Sequence, residues 1–491
     1  MLEWLVVLCV AVLVTTVWCS SKVSSGIDKP TNTPQRGANT PGKDCTETRS
    51  VELICKPSAL ANYLLKTCTT FTNYSPCVGW TWRASGILQS LYEACWSYGS
   101  KVHFVRDHLQ LSDDGLVALD WAFPRYQKRR RTYSHSTSPV LLIIPNSFGK
   151  ITRNVLELCQ TALSHGYLPA VLNRRSHNGT ALTTLKLQQF GDPADLREVV
   201  RYIRYRQPAG KLYAVSESTG SGLLLSYLGE CGSSSYFTAA VCLSPIFRCQ
   251  SWFENGLSWP LQWSLVLYQK MCLSRYRTAL SATIHTDSLF STTSLRGLEE
   301  VLFCQTQVSC GGAALTGPSG STSSGSWEAY WECNEPLRDV DEVAIPVLSI
   351  CAQDDPVRGD IQSTVPRELF ESNPHFFLLL TDRGGHCGFS TRCEGSSTGA
   401  AGPAAAAAAN CATASCGTNW SHQALFEFFR ATTDFIAAEE RAKQLAARRR
   451  GLGAGMGGRA FRHRSISTCK QVPSCSHNIH AIYNWQRSYT R

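Results

Sequence analysis

From residue 139 to residue 439 the chain alternates short, uninterrupted aliphatic runs with stretches of helical periodicity, and few architectures accommodate that pattern. Pro139–Ile144 has no polar face, as a strand buried on both sides requires. Ile151–His165 follows with Val155, Leu158 and Leu163 at helical spacing. Further strands are predicted at Leu168–Leu172, Leu212–Val215, Ala239–Leu243, Val347–Cys351 and Phe376–Thr381. Helices are predicted at Asp192–Tyr205, Gly220–Gly229, around Ser363–Phe370 and at Ser421–Glu439. Ahead of them, Val102–Leu111 and Leu116–Trp121 flank Asp113-Asp114-Gly115 and read as a hairpin. Repeated strand–helix units imply an α/β protein with a mostly parallel, doubly wound sheet.

With 491 residues, 43% of them apolar, the chain can bury a full core as one large domain with appendages or as two domains. A mean hydropathy of −0.14 excludes a polytopic membrane protein. The body is expected to span 51–440. Residues 22–50 form a Ser/Thr/Pro-rich linker, and Gly311–Ser326 and Gly395–Ser415 are surface insertions. The aromatic excursion from Phe247 to about residue 310 stands where an inserted helical cap belongs, as a lid over an acyl chain or as a cap that packs on its own body. Residues 1–21 are expected to be a signal peptide or a signal anchor. Trp4–Trp18 is short for a bilayer span, which takes ~17–25 residues, and Cys19, Ser20 and Ser21 suit cleavage. Lys22, Lys29, Arg36 and Lys43 follow the run, which suits a retained anchor. The protein is therefore expected in the secretory pathway, secreted or anchored at the endoplasmic reticulum. Sequons stand at Asn73, Asn178 and Asn419, a number that chance alone supplies.

The net charge of +10 belongs to the tail. Residues 441–491 hold eleven Lys/Arg and no Asp/Glu, which leaves 36 basic against 37 acidic residues elsewhere, a net of −1. No nucleic-acid partner is implied. The tail, expected to be disordered from Arg448, reads as a solvated extension, a contact for anionic lipid or a dock for an acidic partner. The 22 cysteines show no zinc-ligand spacing, and Cys242 and Cys351 fall in strand-like runs as small core residues. No metal or organic cofactor is expected.

The chemistry concentrates where strands end. Ser216-Glu217-Ser218-Thr219-Gly220 joins a strand to a helix, with Ser218 where a nucleophile elbow carries its serine. By itself the pentapeptide reads rather as a polar turn joining a strand to a helix. Asp354-Asp355-Pro356-Val357 follows the strand ending at Cys351, and Gly384-Gly385-His386-Cys387-Gly388 follows the last strand. Ser, Asp and His in that order, each just past a strand, is the α/β-hydrolase arrangement. His386 would take the proton from Ser218, and Asp355, directly before Pro356-Val357, would orient the imidazole. The oxyanion would take the backbone N–H of Thr219 and, from the turn Pro145–Gly149, that of Ser147.

These residues resemble the abhydrolase-domain subgroup of the α/β-hydrolases, the AB hydrolase 4 family. The likeness runs from about residue 75 to residue 438 through Gly86-Ile87-Leu88-Gln89-Ser90, Asp114-Gly115, Asp120-Trp121 and Asn173-Arg174-Arg175. It continues through Leu182-Thr183-Thr184, Gly191-Asp192, Asp195-Leu196-Arg197, Ser226–Glu230 and Ser294-Leu295-Arg296 to the Asp and His motifs. The resemblance implies the α/β-hydrolase fold, membrane association or secretion, esterase or lipase activity on acylglycerols and phospholipids, and a triad of Ser218, Asp355 and His386. Four positions depart from the family pattern. Its His-Gly at the oxyanion loop is Pro145-Asn146, its elbow Gly is Ser216, its next Gly is Ser221, and its Arg-Gly is Arg175-Ser176. Two functions follow. One is a serine hydrolase acting on a lipid ester, with an acyltransferase as a minor variant. The other is a catalytically weak member that regulates lipid breakdown by binding protein partners.

Overall fold

The computed structural model describes residues 51–76, 85–95, 99, 102–124, 137–304, 326–391 and 419–453. The expected leader and linker, the basic loop at Arg125–Arg131, nearly all of the 311–326 insertion, the 395–415 insertion and the tail beyond residue 453 lie outside them.

The predicted strands form one sheet. In chain order they are β1 Val51–Ile54, β2 Val102–Gln110, β3 Leu116–Pro124, β4 Val140–Ile144, β5 Leu168–Asn173, β6 Leu212–Glu217, β7 Phe237–Leu243, β8 Val347–Ala352 and β9 Phe376–Thr381. Their spatial order is β1-β9-β8-β7-β6-β4-β5-β3-β2. β5, β4, β6, β7, β8 and β9 run parallel, while the β2–β3 hairpin and β1 add antiparallel edges. β1 is an element the sequence did not announce; its four residues pair with Leu378–Thr381.

The aliphatic runs lack a polar face because both faces of the sheet are covered. On β4, Val140, Leu142 and Ile144 join one core, and Leu141 and Ile143 join the other. The first core is closed by α4 (Ala194–Arg206) and α5 (Gly220–Cys231) through Leu196, Val199, Ile203, Leu224 and Leu228. The second is closed by α1 (Ala59–Thr67), α3 (Arg153–Ser164) and α8 (Trp420–Gly453) through Leu64, Val155, Leu158, Phe428 and Phe429. Cys242 and Cys351 are fully buried strand residues, and burial pushes both thiols up to about 12.

Three predicted elements end differently. The helix expected at Ser363–Phe370 is two short ones, Ile361–Thr364 and Arg367–Ser372, because Pro366 supplies no N–H and bars the α region to Val365. The last helix, expected to stop at Glu439, continues to Gly453, past the residue-441 boundary and past Arg448. Residues 438–447 are exposed save for half-buried Ala446, yet Ala, Glu, Arg, Lys, Gln and Leu are strong helix formers, and Glu439 pairs with Lys443 one turn on at 2.9 Å. The excursion expected from Phe247 forms a separate compact unit only over Leu257–Leu302. Phe247 belongs to the first core, packed edge-on against Phe370, and α6 (Cys249–Asn255) buries Trp252 and Phe253. Within the 257–302 unit, α7 (Trp259–Ser274) directs Lys270 to the carbonyls of Phe290 and Thr292, and Trp259 and Trp263 are exposed. Among the described residues no helix is long and apolar enough to cross a membrane.

Candidate functional site

The sheet changes winding direction at β4, whose neighbours are β5 and β6, so the loops after β4 and β6 meet at one end of adjacent parallel strands. That is where ligand sites form in open α/β sheets. At the end of β6 the chain makes a strained turn. Ser218 has φ +52°, a left-handed conformation that is costly for a residue with a Cβ. Its N–H is held by Leu243 O at 2.8 Å, and its side chain stands at the N-terminus of α5. Gly220 permits the turn to pack: a Cβ there would lie 2.3 Å from Pro145 O.

Ser218, His386 and Asp355 come together. His386 Nε2 lies 2.7 Å from Ser218 Oγ, and His386 Nδ1 lies 2.8 and 3.0 Å from the two oxygens of Asp355. An ionised carboxylate only accepts, so Nδ1 carries the proton and Nε2 is the lone pair facing the serine hydroxyl. Burial alone would raise the Asp355 carboxyl. The His386 charge and hydrogen bond, with Arg358 and its backbone N–H, outweigh that and hold it below the usual carboxylate range. Val357 N–H at 2.8 Å and Arg358 N–H at 3.1 Å fix the carboxylate. Asp354 takes a different job. It accepts from Gly384 N–H at 2.9 Å and Gly385 N–H at 2.8 Å, pinning the histidine loop to the acid loop.

The sequence alone states no role for Gly86–Ser90. The structure supplies one: on α2 (Gly86–Cys95), Ser90 Oγ donates to Gly86 O at 2.6 Å and accepts the His386 N–H at 2.7 Å. Gly385, at φ +57°, leaves room for that helix, since a Cβ would lie 2.4 Å from Gly86 O. Further support comes from Ser244, Thr152 and Asn154, which carry no sequence signal. Cys387 N–H bonds Ser244 Oγ at 3.0 Å. Buried Glu217 accepts from Thr152 Oγ1 at 2.8 Å and Asn154 Nδ2 at 3.0 Å, and burial raises its carboxyl.

Asn154 links to His422 Nε2 at 2.8 Å and to Asn419 Nδ2 at 3.1 Å; Asn419 Nδ2 also donates to Cys387 O at 3.2 Å. Asn419 is thus a buried structural amide, and its sequon cannot carry a glycan in the folded chain. Asn73 and Asn178 are exposed. Burial holds His422 down at about 3. The unfolded imidazole titrates near ~6.5, so between those values the unfolded chain binds the extra proton. Stability is fully present above about pH 6.5 and falls as pH drops toward about 3. At pH 5 the loss from this residue is about 2 kcal/mol. Urea unfolding at pH 7 and pH 5 checks it: His422→Gln should lose less between the two, and an equal loss would clear His422.

The two expected oxyanion donors are also adjacent, but not equally open. Thr219 N–H has no acceptor among the described residues. Ser147 N–H is already satisfied, donating to Thr219 Oγ1 at 3.0 Å, with Ser147 Oγ 2.9 Å from the same oxygen. Two of the departures from the family pattern also have visible consequences. Ser221 Oγ donates to Ser218 O at 2.5 Å, bracing the elbow, and Ser176 occupies the left-handed region at φ +63°.

The remaining family motifs hold loops. Arg106 forks onto Asp120 at 2.6 and 2.7 Å, and Asp120 also accepts from Asn173. Arg175 forks onto Asp195, and Arg197 pairs with Glu230. No group of acidic, Cys or His residues suited to a metal occurs among the described residues.

A nine-stranded, mostly parallel sheet wound on both sides, with a strained serine elbow at its switch point, is the α/β-hydrolase fold. No protein-family model matches the chain. It is 46% identical over 441 residues to human Protein ABHD15, covering 89% of this chain and 85% of that protein. Mouse Phospholipase ABHD3 is 27% identical over 69% of this chain and 78% of its own. Monoacylglycerol lipase ABHD2 of Danio rerio is 24% identical over 70% and 80%. The chain belongs to the abhydrolase-domain family of α/β-hydrolases, as a close homologue of ABHD15.

Proposed function

We propose that the protein is a serine hydrolase of the esterase/lipase type acting on a lipid ester, with Ser218 as nucleophile, His386 as base and acid, and Asp355 as the group that orients His386. The observation that carries this reading is the unbroken relay Ser218 Oγ–His386 Nε2 at 2.7 Å and His386 Nδ1–Asp355 at 2.8 Å. In the first half-reaction Ser218 Oγ bonds to the ester carbonyl carbon while its proton passes to His386 Nε2. The tetrahedral oxyanion collapses, the C–O bond breaks, and the leaving alcohol takes the proton from His386. Water, deprotonated by the same nitrogen, then releases the acid. Phe148, next to Ser147, faces Trp252 at 6.3 Å, and Trp252 Nε1 donates to Val357 O beside the acid. This apolar bracket between the oxyanion and acid loops suits a substrate with an apolar acyl group. The lipase and phospholipase names of relatives point to the same substrate class. A membrane surface, reached from the secretory pathway, is the setting in which such a substrate is met. No cofactor is part of the reading.

The test is labelling by a fluorophosphonate, in which a Ser218 Oγ–P bond replaces P–F, fluoride leaves and the proton goes to His386. Labelling of wild type and none of Ser218→Ala is expected. Folded wild type that resists labelling would remove the hydrolase reading.

The second reading, a weakly catalytic member that regulates lipid breakdown through protein partners, is favoured by one observation: the Ser147 donor is occupied.

A further inference from the structure

We propose that Thr219 is a latch on the oxyanion site: its hydroxyl stands in for the substrate oxyanion at the Ser147 N–H, and it must rotate away before Ser218 can turn over. The inference rests on the hydrolase reading above and concerns the resting state of the same site.

Three observations carry it. First, Thr219 stands at the N-cap position of α5 with helical backbone angles, φ −63° and ψ −16°, which take its oxygen away from the first-turn N–H groups that a capping threonine in extended conformation holds. Here it makes no such bond. The side chain instead reaches across to the loop after β4. Second, Thr219 Oγ1 accepts there from both Ser147 N–H at 3.0 Å and Ser147 Oγ–H at 2.9 Å. A backbone N–H has one proton, and an oxyanion has to lie about 2.7–3.1 Å from each of its donors. The Ser147 N–H cannot serve Thr219 and a tetrahedral intermediate together. Third, the hydroxyl is fully buried against that loop, so the contact is a packed one, not a surface accident. Meanwhile the Thr219 N–H is left open, so half of the site is ready and half is capped.

The side chain has a way out, because rotation about χ1 to another staggered well carries the hydroxyl off Ser147 and leaves the backbone N–H of both residues where they are. Substrate must compete for the Ser147 donor against two hydrogen bonds, which lowers reactivity by roughly tenfold. The Ser147 hydroxyl is released at the same moment.

Substitution at 219 leaves its backbone donor intact, so the side chain can be tested alone. Fluorophosphonate labelling rates and p-nitrophenyl butyrate turnover are compared for wild type, Thr219→Ala, Thr219→Val and Thr219→Ser, with Ser218→Ala as blank and a melting curve for each. Thr219→Ala should label about tenfold faster, with the gain in kcat rather than KM. Thr219→Val should also gain, and Thr219→Ser should return to the wild-type rate, a rescue that general loosening of the loop would not give. Wild type that labels while both Thr219→Ala and Thr219→Val label equally fast or slower would overturn the latch and leave the hydrolase reading standing. Folded variants of which none labels would overturn both.

Discussion

Asp355→Asn should lower kcat by about 10⁴ while leaving KM and the fold nearly unchanged. The carboxylate accepts the His386 Nδ1 proton at 2.8 Å and so leaves Nε2 unprotonated toward Ser218. An amide can offer its NH₂ to Nδ1 instead. The imidazole then keeps its proton on Nε2, where it can no longer take one from the serine. The imidazolium formed during reaction also loses the negative charge facing it. The fold should survive because the asparagine carbonyl can still accept from the N–H groups of Val357 and Arg358, which Asp355 Oδ1 holds now. Asp355 is 3% exposed, so substrate affinity has little reason to change. Turnover of a p-nitrophenyl ester, with a melting curve alongside, measures both halves. A kcat within tenfold of wild type would mean that His386 is not acting as the base on Ser218.

The same residues show why some of the site was legible in sequence and some was not. Ser218, Asp355 and His386 each stand one turn beyond a run of aliphatic residues, and a run without a polar face reports burial on both sides of a sheet. The ends of such strands are where an α/β protein presents side chains, so three local patterns located three residues that meet in space. Ser90 has no comparable signature. Its contact with His386 joins an edge helix to the last loop, and nothing in the periodicity of Gly86–Cys95 states which surface faces that loop. Strand β1 was missed because four residues with burial only at their two ends make neither a continuous run nor a clean alternation. The capped state of Ser147 was invisible for a different reason. Position alone marks a backbone N–H as a donor, and a threonine beside Ser218 gives no sign in sequence that its hydroxyl takes the Ser147 N–H. The helix beyond Glu439 is not legible in sequence because loss of an apolar face ends an amphipathic signal, whereas propensity alone carries the helix onward.

Arg175→Ala should destabilise the protein by about 3–5 kcal/mol, the cost of stranding a buried charge. Arg175 follows β5, and its side chain is 3% exposed. Nε and Nη2 both reach Asp195 at 2.7 Å, Nη2 reaches Asp113 at 2.9 Å, and Nη1 lies 3.3 Å from Thr184 Oγ1. One guanidinium thus ties the hairpin turn, the loop after β5 and the first turn of α4 together. The two carboxylates fare differently without it. Asp113 is 35% exposed on its side chain and can return to water. Asp195 is 7% exposed and cannot, although its place at the start of α4 offsets a little of the loss through the helix dipole. Arg175→Lys should recover only part of the stability, because one ammonium cannot serve two forks. Replacing the pair together, Arg175→Met with Asp195→Leu, should recover most of it by removing the uncompensated charge. Urea unfolding measures all three, and a loss below about 1 kcal/mol for Arg175→Ala would refute the argument. Labelling of Ser218 in the folded fraction should stay near wild type, since neither Arg175 nor Asp195 touches the serine relay. A parallel collapse of labelling in protein that is still folded would mean that the loop after β5 sets the site's geometry as well as its stability.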